Sequence, residues 1–116
     1  MPSSNRRPVV LVTEPMSPRS LEYLKLHAEV RHAPKEQAAE AVADADALVV
    51  RTYTQVNEAL LAKAGRLKVV ARAGVALENI DVAACRAHGV EVVHTPAANT
   101  LAVVDYTIGA IVMLNR

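Results

Sequence analysis

The 116-residue chain is long enough for one domain, and its hydrophobic fraction of 52% is almost wholly aliphatic because aromatic residues make up only 3%. Its 13 basic and 12 acidic residues leave a net charge of +1, which argues against a nucleic-acid surface or a polybasic membrane tail. The single cysteine, Cys85, excludes an intrachain disulfide and gives no metal-ligand spacing. We expect Cys85 to be buried and the protein to be cytoplasmic, since the polar N-terminus lacks the apolar stretch of a signal peptide.

Strands and helices alternate along the chain after a polar arm, residues 1–8, which we expect to be disordered. The apolar, β-branched runs predict five strands. These are Val9–Thr13, Ala28–His32, Ala47–Val50, Lys68–Ala71 and Val90–Val93.

A helical pattern follows each predicted strand. The first helix begins at Ser17 and Pro18, an N-cap followed by proline. The second is rich in alanine and runs from Pro34 to about Asp44. The others are bounded by side-chain caps and glycines. Asn57 and Gly65 bound the third helix, Asp81 and Gly89 the fourth, and Asn99 or Thr100 begins the last.

Five strands that alternate with helices predict an α/β fold with a doubly wound parallel sheet. The number of units favours the flavodoxin-like strand order 2-1-3-4-5. Ligands of such sheets bind outside the carboxyl ends of the strands, close to the point where the strand order reverses.

Two arginines stand at the ends of central strands, Arg51 after the third and Arg72 after the fourth, and Gly74 follows closely. Arginine binds carboxylate or phosphate in a bidentate manner, and glycine lets backbone N–H groups approach an anion. We therefore predict a site for a small anionic ligand. An equally weighted alternative is that both arginines only pair with nearby carboxylates such as Glu14, Glu78 or Asp81.

Motifs for binding nucleotide phosphates are absent from this sequence. It contains neither GxGxxG nor GxxxxGK[ST], so the chain has no dinucleotide or P-loop cradle of its own. Arg51 also stands where a phospho-receiver domain needs an aspartate. His94 ends a strand near the predicted site, but no orienting carboxylate is identifiable, so we assign no catalytic residue.

The last helix, residues 101–114, is apolar nearly all round and is broken mainly by Asp105 and Thr107. It is shorter than the ~20 residues of a membrane span, so we expect it to be buried on most sides. The domain can cover one face. We expect the other face to need a second domain or, in a homodimer, a second copy.

Three segments resemble NAD-dependent D-2-hydroxyacid dehydrogenases: VVRTYTQV at 49–56, LKVVARAG at 67–74 followed by ENID at 78–81, and HTPAANT at 94–100. Within this family the phosphoglycerate dehydrogenases of serine biosynthesis are the most similar branch. The resemblance covers only the leading part of the family's chain. It implies a substrate-binding domain at residues 9–98, an interdomain helix at 99–116 and a dinucleotide-binding domain that this chain lacks.

The resemblance implies substrate-binding roles for five residues. Arg51 is similar to the loop arginine that meets the anionic tail of the substrate, and Arg72 to an arginine that supports or contacts it. Backbone N–H groups of Ala73 and Gly74 would hold the substrate carboxylate. Asn99 would lie at the interdomain hinge, near substrate and cofactor. The family's catalytic Arg, Glu and His come later in its chain, so none is carried over.

Four positions depart from the family's pattern. Val75 stands where phosphoglycerate dehydrogenases often have a threonine that helps to hold NAD, so Val75 and Asn99 are the candidate cofactor contacts. Ala76 replaces a glycine, Glu78 an aspartate and Asp105 a glutamate.

The expected function is the substrate-binding portion of an oxidoreductase. It would transfer hydride from a D-2-hydroxy acid, with 3-phosphoglycerate as a candidate, to NAD held mainly by the absent domain. We expect the chain alone to be inactive. The alternative is a non-catalytic module that binds a small anion or dimerises through its last helix.

Overall fold

In a computed structural model of the chain, which describes residues 7–51, 53–72, 78–94 and 100–114, five strands form one parallel sheet of order β2-β1-β3-β4-β5. The strands are β1 (Val9–Val12), β2 (Glu29–His32), β3 (Ala47–Val50), β4 (Val69–Arg72) and β5 (Glu91–His94). The helices are α1 (Pro18–Lys25), α2 (Ala38–Ala41), α3 (Glu58–Leu61), α4 (Val82–Ala87) and α5 (Thr100–Leu114). The predicted strand order is confirmed, and the strand ends differ from the predicted ones by a residue at most.

The central strands are buried on both faces, which explains their continuous apolar runs. On one face Leu11, Leu48 and Val70 pack with side chains of α2, α3 and α4, Cys85 among them. On the other face alternate strand residues pack against α1 and α5. The burial predicted for Cys85 is confirmed, with 0% of the residue exposed.

Three predicted helix starts are confirmed by their caps. The side chains of Ser17, Asn57 and Asp81 each accept a hydrogen bond from the backbone N–H three residues later. Gly89 ends α4 with φ at +73° and donates its N–H to the carbonyl of Arg86 at 3.0 Å. That left-handed conformation is the one that favours glycine after a helix.

Two predicted helices are shorter than the sequence pattern indicates. In the alanine-rich segment only Ala38–Ala41 is α-helical, between the 3-10 turns Lys35–Gln37 and Val42–Asp44. Isolated helices of this length are marginal, and the segment is anchored in the core by the buried Ala38 and Val42, with Ala41 partly buried beside them. The third helix ends at Leu61, because the N–H groups of residues 63 and 64 turn to the carbonyls three residues earlier.

Helix α5 lies on the sheet, against β4, β5 and α1. Val104, Thr107 and Ile111 are buried, whereas Tyr106 and Met113 are 52% and 72% exposed. The exposed side borders a shallow groove of about 540 Å³ next to the edge strand β5. One face of the helix is therefore covered by the domain, as predicted, and the opposite face carries apolar side chains on the surface. Within the described ranges, no helix has the length and hydropathy needed to cross a membrane.

Replacement of Gly89 by alanine is expected to lower the free energy of unfolding by about 1 kcal/mol, because alanine is strained at positive φ although its Cβ would meet no atom there. The matched change Gly65→Ala, where φ is not positive and space is also open, is expected to be near neutral. Urea unfolding of the two variants measures both effects. Equal stabilities would contradict the assigned role of Gly89.

Candidate anion-binding site

The strand order reverses between β1 and β3, and the connections from these strands leave on opposite faces of the sheet. The crevice at their carboxyl ends is where open α/β sheets bind ligands. Two threonines join the strand ends there, since the hydroxyls of Thr13 and Thr54 lie 2.7 Å apart and both residues are buried.

Glu14 occupies this crevice and binds the backbone that follows β3. Its Oε2 accepts hydrogen bonds from the N–H groups of Arg51 at 2.8 Å and Thr54 at 2.9 Å, and its Oε1 accepts one from Tyr53 at 2.9 Å. Partial burial raises the pKa of Glu14, but the hydrogen bonds from Tyr53, Arg51 and Thr54 together lower it by more, so its pKa lies below the ordinary value of 4.5. The carboxylate is therefore ionised at neutral pH.

Asn79 holds the same segment from the other side. Its Nδ2 donates to the carbonyls of Arg51 and Thr54, both at 2.7 Å. Its Oδ1 accepts a hydrogen bond from Nη1 of Arg72 at 2.8 Å, and both residues are buried. Nη1 of Arg72 also lies 3.8 Å from a carboxylate oxygen of the exposed Glu78.

The two arginines singled out in the sequence thus have different surroundings. Arg72 lies under the surface. Its ion pair with Glu78 was one of the anticipated alternatives, whereas its hydrogen bond to Asn79 was not anticipated. Arg51 is exposed, and among the described residues its guanidinium donates to the carbonyl of Pro15 alone, at 3.3 Å. Among the described residues no carboxylate lies within ion-pair distance of the Arg51 guanidinium, because Glu14 is engaged with backbone N–H groups. Of these two arginines, Arg51 is therefore the one with an exposed guanidinium.

The other predicted site residues, Ala73, Gly74, Val75 and Asn99, lie outside the described residues, as does Ala76. They follow β4 and β5, whose carboxyl ends are at the same edge of the sheet as Arg51. His94 ends β5 opposite Arg72 in the strand register and is exposed.

A cavity of about 340 Å³ adjoins the site on the β2 side and is lined by Glu14, Met16, Leu21 and His32 among others. Its lining is largely apolar. Within the part of the chain that the structure describes, histidine, cysteine and carboxylate side chains form no group able to hold a metal ion.

Sequence reasoning did not identify the part played by Asn79, and it considered Glu14 only as an ion-pair partner. One signal for Asn79 was available in the sequence, namely a polar side chain directly before the apolar Ile80. In the structure, a strand-like bridge between Ile80 and Val56 brings Asn79 next to the segment after β3. For Glu14 the signal was a carboxylate at the end of a fully buried strand.

Glu14→Gln is expected to lower the free energy of unfolding at neutral pH by about 1 kcal/mol, since an amide must turn an N–H₂ toward a backbone N–H. Because the pKa of Glu14 is depressed in the folded state, its hydrogen bonds contribute their full stability above pH 4.5, the ordinary pKa. This stability is lost as the pH falls through the lower pKa of the folded state. The variant should therefore lose less stability over that acidic range. Urea unfolding as a function of pH measures this, with the exposed Glu22→Gln as control. Parallel curves for wild type and Glu14→Gln would contradict the assignment.

Known proteins similar to this chain include D-3-phosphoglycerate dehydrogenases. That of Methanocaldococcus jannaschii is 39% identical over 110 residues, which is 92% of this chain and 21% of the relative. That of Mycobacterium tuberculosis is 38% identical over 112 residues, 94% of this chain and again 21% of the relative. The chain thus spans about a fifth of the length of these curated relatives.

Solved structures that share the fold include the following two. The PH0520 protein of Pyrococcus horikoshii matches with a TM-score of 0.73 and 28% identity, over 77% of this chain and 28% of that chain. The NAD⁺-bound 3-phosphoglycerate dehydrogenase of Entamoeba histolytica matches with a TM-score of 0.67 and 26% identity, over 78% of this chain and 33% of that chain. The family model described as "D-isomer specific 2-hydroxyacid dehydrogenase, catalytic domain" matches residues 10–110. The chain therefore belongs to the D-isomer specific 2-hydroxyacid dehydrogenase family.

Proposed function

We propose that this chain is the substrate-binding portion of an enzyme that transfers hydride from a D-2-hydroxy acid to NAD. The names of its relatives, D-3-phosphoglycerate dehydrogenase among them, support this activity and make 3-phosphoglycerate the first substrate to test. NAD would be bound mainly by a further domain, since hydride transfer needs a nicotinamide fixed against the substrate carbon. We expect such an enzyme to act in the cytoplasm.

The observation that carries the proposal is the exposed guanidinium of Arg51 at the crevice between β1 and β3. Its backbone is fixed on the N–H side by Glu14 and on the carbonyl side by Asn79. A guanidinium carried on a backbone fixed in this way can match the paired oxygens of a phosphate or carboxylate. The anionic tail of the substrate is the group assigned to Arg51.

The segments after β4 and β5 would complete the site. Backbone N–H groups of Ala73 and Gly74 would hold the substrate carboxylate, and Asn99 would lie between substrate and cofactor. Val75 would border the cofactor without the hydroxyl that related enzymes often supply. The support for these roles is the family membership and the location of both strand ends at the edge that carries Arg51.

A second candidate, a non-catalytic module that pairs through α5, is favoured by one observation. Tyr106 and Met113 expose apolar surface beside a groove that α5 forms with β5. In the enzyme proposal this surface is covered by the rest of a longer polypeptide, which would make α5 an interdomain helix. In the module proposal it is covered by a second copy.

Arg51→Ala is expected to weaken binding of 3-phosphoglycerate by about 2 kcal/mol, roughly 30-fold in Kd, because charge-assisted hydrogen bonds are lost. Arg51→Lys should recover only part of the affinity, since an ammonium lacks the bidentate fork. Calorimetric titration measures the Kd. Arg66→Ala, an exposed arginine near Asp46 and away from the crevice, is the control. Equal affinities for wild type and Arg51→Ala would refute the site.

The purified chain is expected to form no NADH from NAD⁺ and a panel of D-2-hydroxy acids, since its own sequence supplies neither a dinucleotide cradle nor an assigned catalytic base. Absorbance of NADH is the measurement. Steady NADH production that depends on substrate would overturn the proposal that this chain binds the substrate while a further domain binds NAD.

Sedimentation equilibrium distinguishes the module from the enzyme portion. If α5 pairs with a second copy, wild type is a dimer and Tyr106→Glu becomes a monomer, because a charge would be buried in the interface. Leu26→Glu, at an exposed leucine just after α1, is the matched control and should stay dimeric. A monomeric wild type excludes the module at the concentrations tested.

A further inference from the structure

We propose that Glu14 and Asn79 are positioning residues, which hold the segment from Arg51 to Thr54 from opposite sides so that Arg51 is aimed at the anion. This inference rests on the proposed anion-binding function of Arg51. It adds two residues that contact no ligand themselves and gives Arg72 a supporting part in place of a substrate contact.

The orientation of the Asn79 amide follows from its partners. Arginine is only a donor, so the atom that faces Nη1 of Arg72 at 2.8 Å must be the amide oxygen. The N–H₂ group then faces the two carbonyls, of Arg51 and Thr54, and uses both of its hydrogens at 2.7 Å. Arg72 therefore acts on the segment through Asn79, because it fixes which end of the amide faces the backbone.

The described N–H groups of the segment, those of Arg51, Tyr53 and Thr54, also have specific partners. Three donors converge on one carboxylate, two on Oε2 and one on Oε1 of Glu14. The side chain of Thr54, at 1% exposure, adds a hydroxyl contact to Thr13. Three N–H groups and the carbonyls of Arg51 and Thr54 are thus paired with side chains from other parts of the chain, outside the strand ladders.

Pre-organisation is the consequence for binding. A loop that must be ordered when its ligand arrives loses affinity, whereas a loop already fixed does not. The link from Arg72 through Asn79 also joins the end of β4, ahead of Ala73 and Gly74, to the segment that carries Arg51. Arg51 and Arg72, at the ends of neighbouring strands, are therefore linked through one side chain.

Two isosteric substitutions test the inference without removing volume. Asn79→Asp keeps an oxygen for Arg72 but turns a second oxygen toward two carbonyls, and Glu14→Gln turns an N–H₂ toward a backbone N–H. In each variant the amides of Arg51, Tyr53 and Thr54 should exchange with solvent about fivefold faster, since a loss of about 1 kcal/mol lowers the free energy of local opening by the same amount. Exchange followed by NMR on the full chain needs no ligand.

Sulfate is the probe for the site, because it carries the paired oxygens of a phosphate and keeps its charge under mildly acidic and neutral conditions. Its Kd, from NMR titration at neutral pH, should rise several-fold in both variants and more in Arg51→Ala. Val42→Ala, a core truncation on the other side of the sheet from α1 and α5, lowers global stability and should leave the Kd unchanged. Glu22→Gln controls for the loss of a charge.

The outcomes separate the two proposals. Faster exchange together with weaker sulfate binding in Glu14→Gln and Asn79→Asp, but not in the controls, supports positioning. Wild-type exchange and affinity in both variants, while Arg51→Ala binds weakly, overturns positioning and leaves the anion site intact. If Val42→Ala loses as much affinity as the two variants, the weaker binding follows from lower global stability, and positioning is also overturned. An unchanged Kd in Arg51→Ala, whatever the exchange rates, overturns the anion site itself.

Discussion

The reversal of strand order between β1 and β3 is the constraint on which the site depends. Because α1 leaves β1 on one face of the sheet and α3 follows β3 on the other, neither helix covers the carboxyl ends of these two strands. The backbone that leaves β3 there must find partners outside the strand ladder. Glu14 and Asn79 provide them, one as acceptor and the other as donor.

Two arginines at neighbouring strand ends serve different purposes for a geometrical reason. Arg72 pairs in the sheet with Val50, so Arg51 lies one residue beyond the last pair of that ladder. The Arg72 side chain, still within a central strand, is buried and needs an internal partner, which Asn79 provides. A side chain just beyond it reaches solvent. The polar scaffold and the arginine that we propose binds the anion are therefore adjacent but distinct.

Helix α5 has a partly apolar side that the rest of the domain does not cover. The sequence of this helix is apolar nearly all round. Among its described side chains, those of Val104, Thr107 and Ile111 are buried where the helix packs on the sheet and α1. The hydroxyl of Tyr23 donates to Asp105 at 2.6 Å and ties the polar flank of α5 to α1. The remaining apolar side, beside β5, is what a second domain of a D-2-hydroxyacid dehydrogenase or a second copy of the chain would cover.

Local chemistry made much of the fold predictable. Capping side chains at Ser17, Asn57 and Asp81 and the glycine at position 89 act within a few residues, so the sequence indicates where those helices begin or end. Strands buried on both faces need continuous apolar runs, which indicated a parallel sheet. The lengths of α2 and α3 were wrong, because short helices depend on the contacts they make and not on propensity alone.

By itself, the sequence determined the sheet order, the family and the edge at which Arg51 and Arg72 lie. It also left open whether those arginines bind a ligand or pair with carboxylates. Only the tertiary structure decided how Glu14 is used, since its three N–H partners lie 37 to 40 residues away and are brought to it by strand pairing. The same holds for Asn79, whose partners come from β4 and from the segment after β3. A side chain's partner across the sheet is fixed by register and topology, which no local pattern of residues contains.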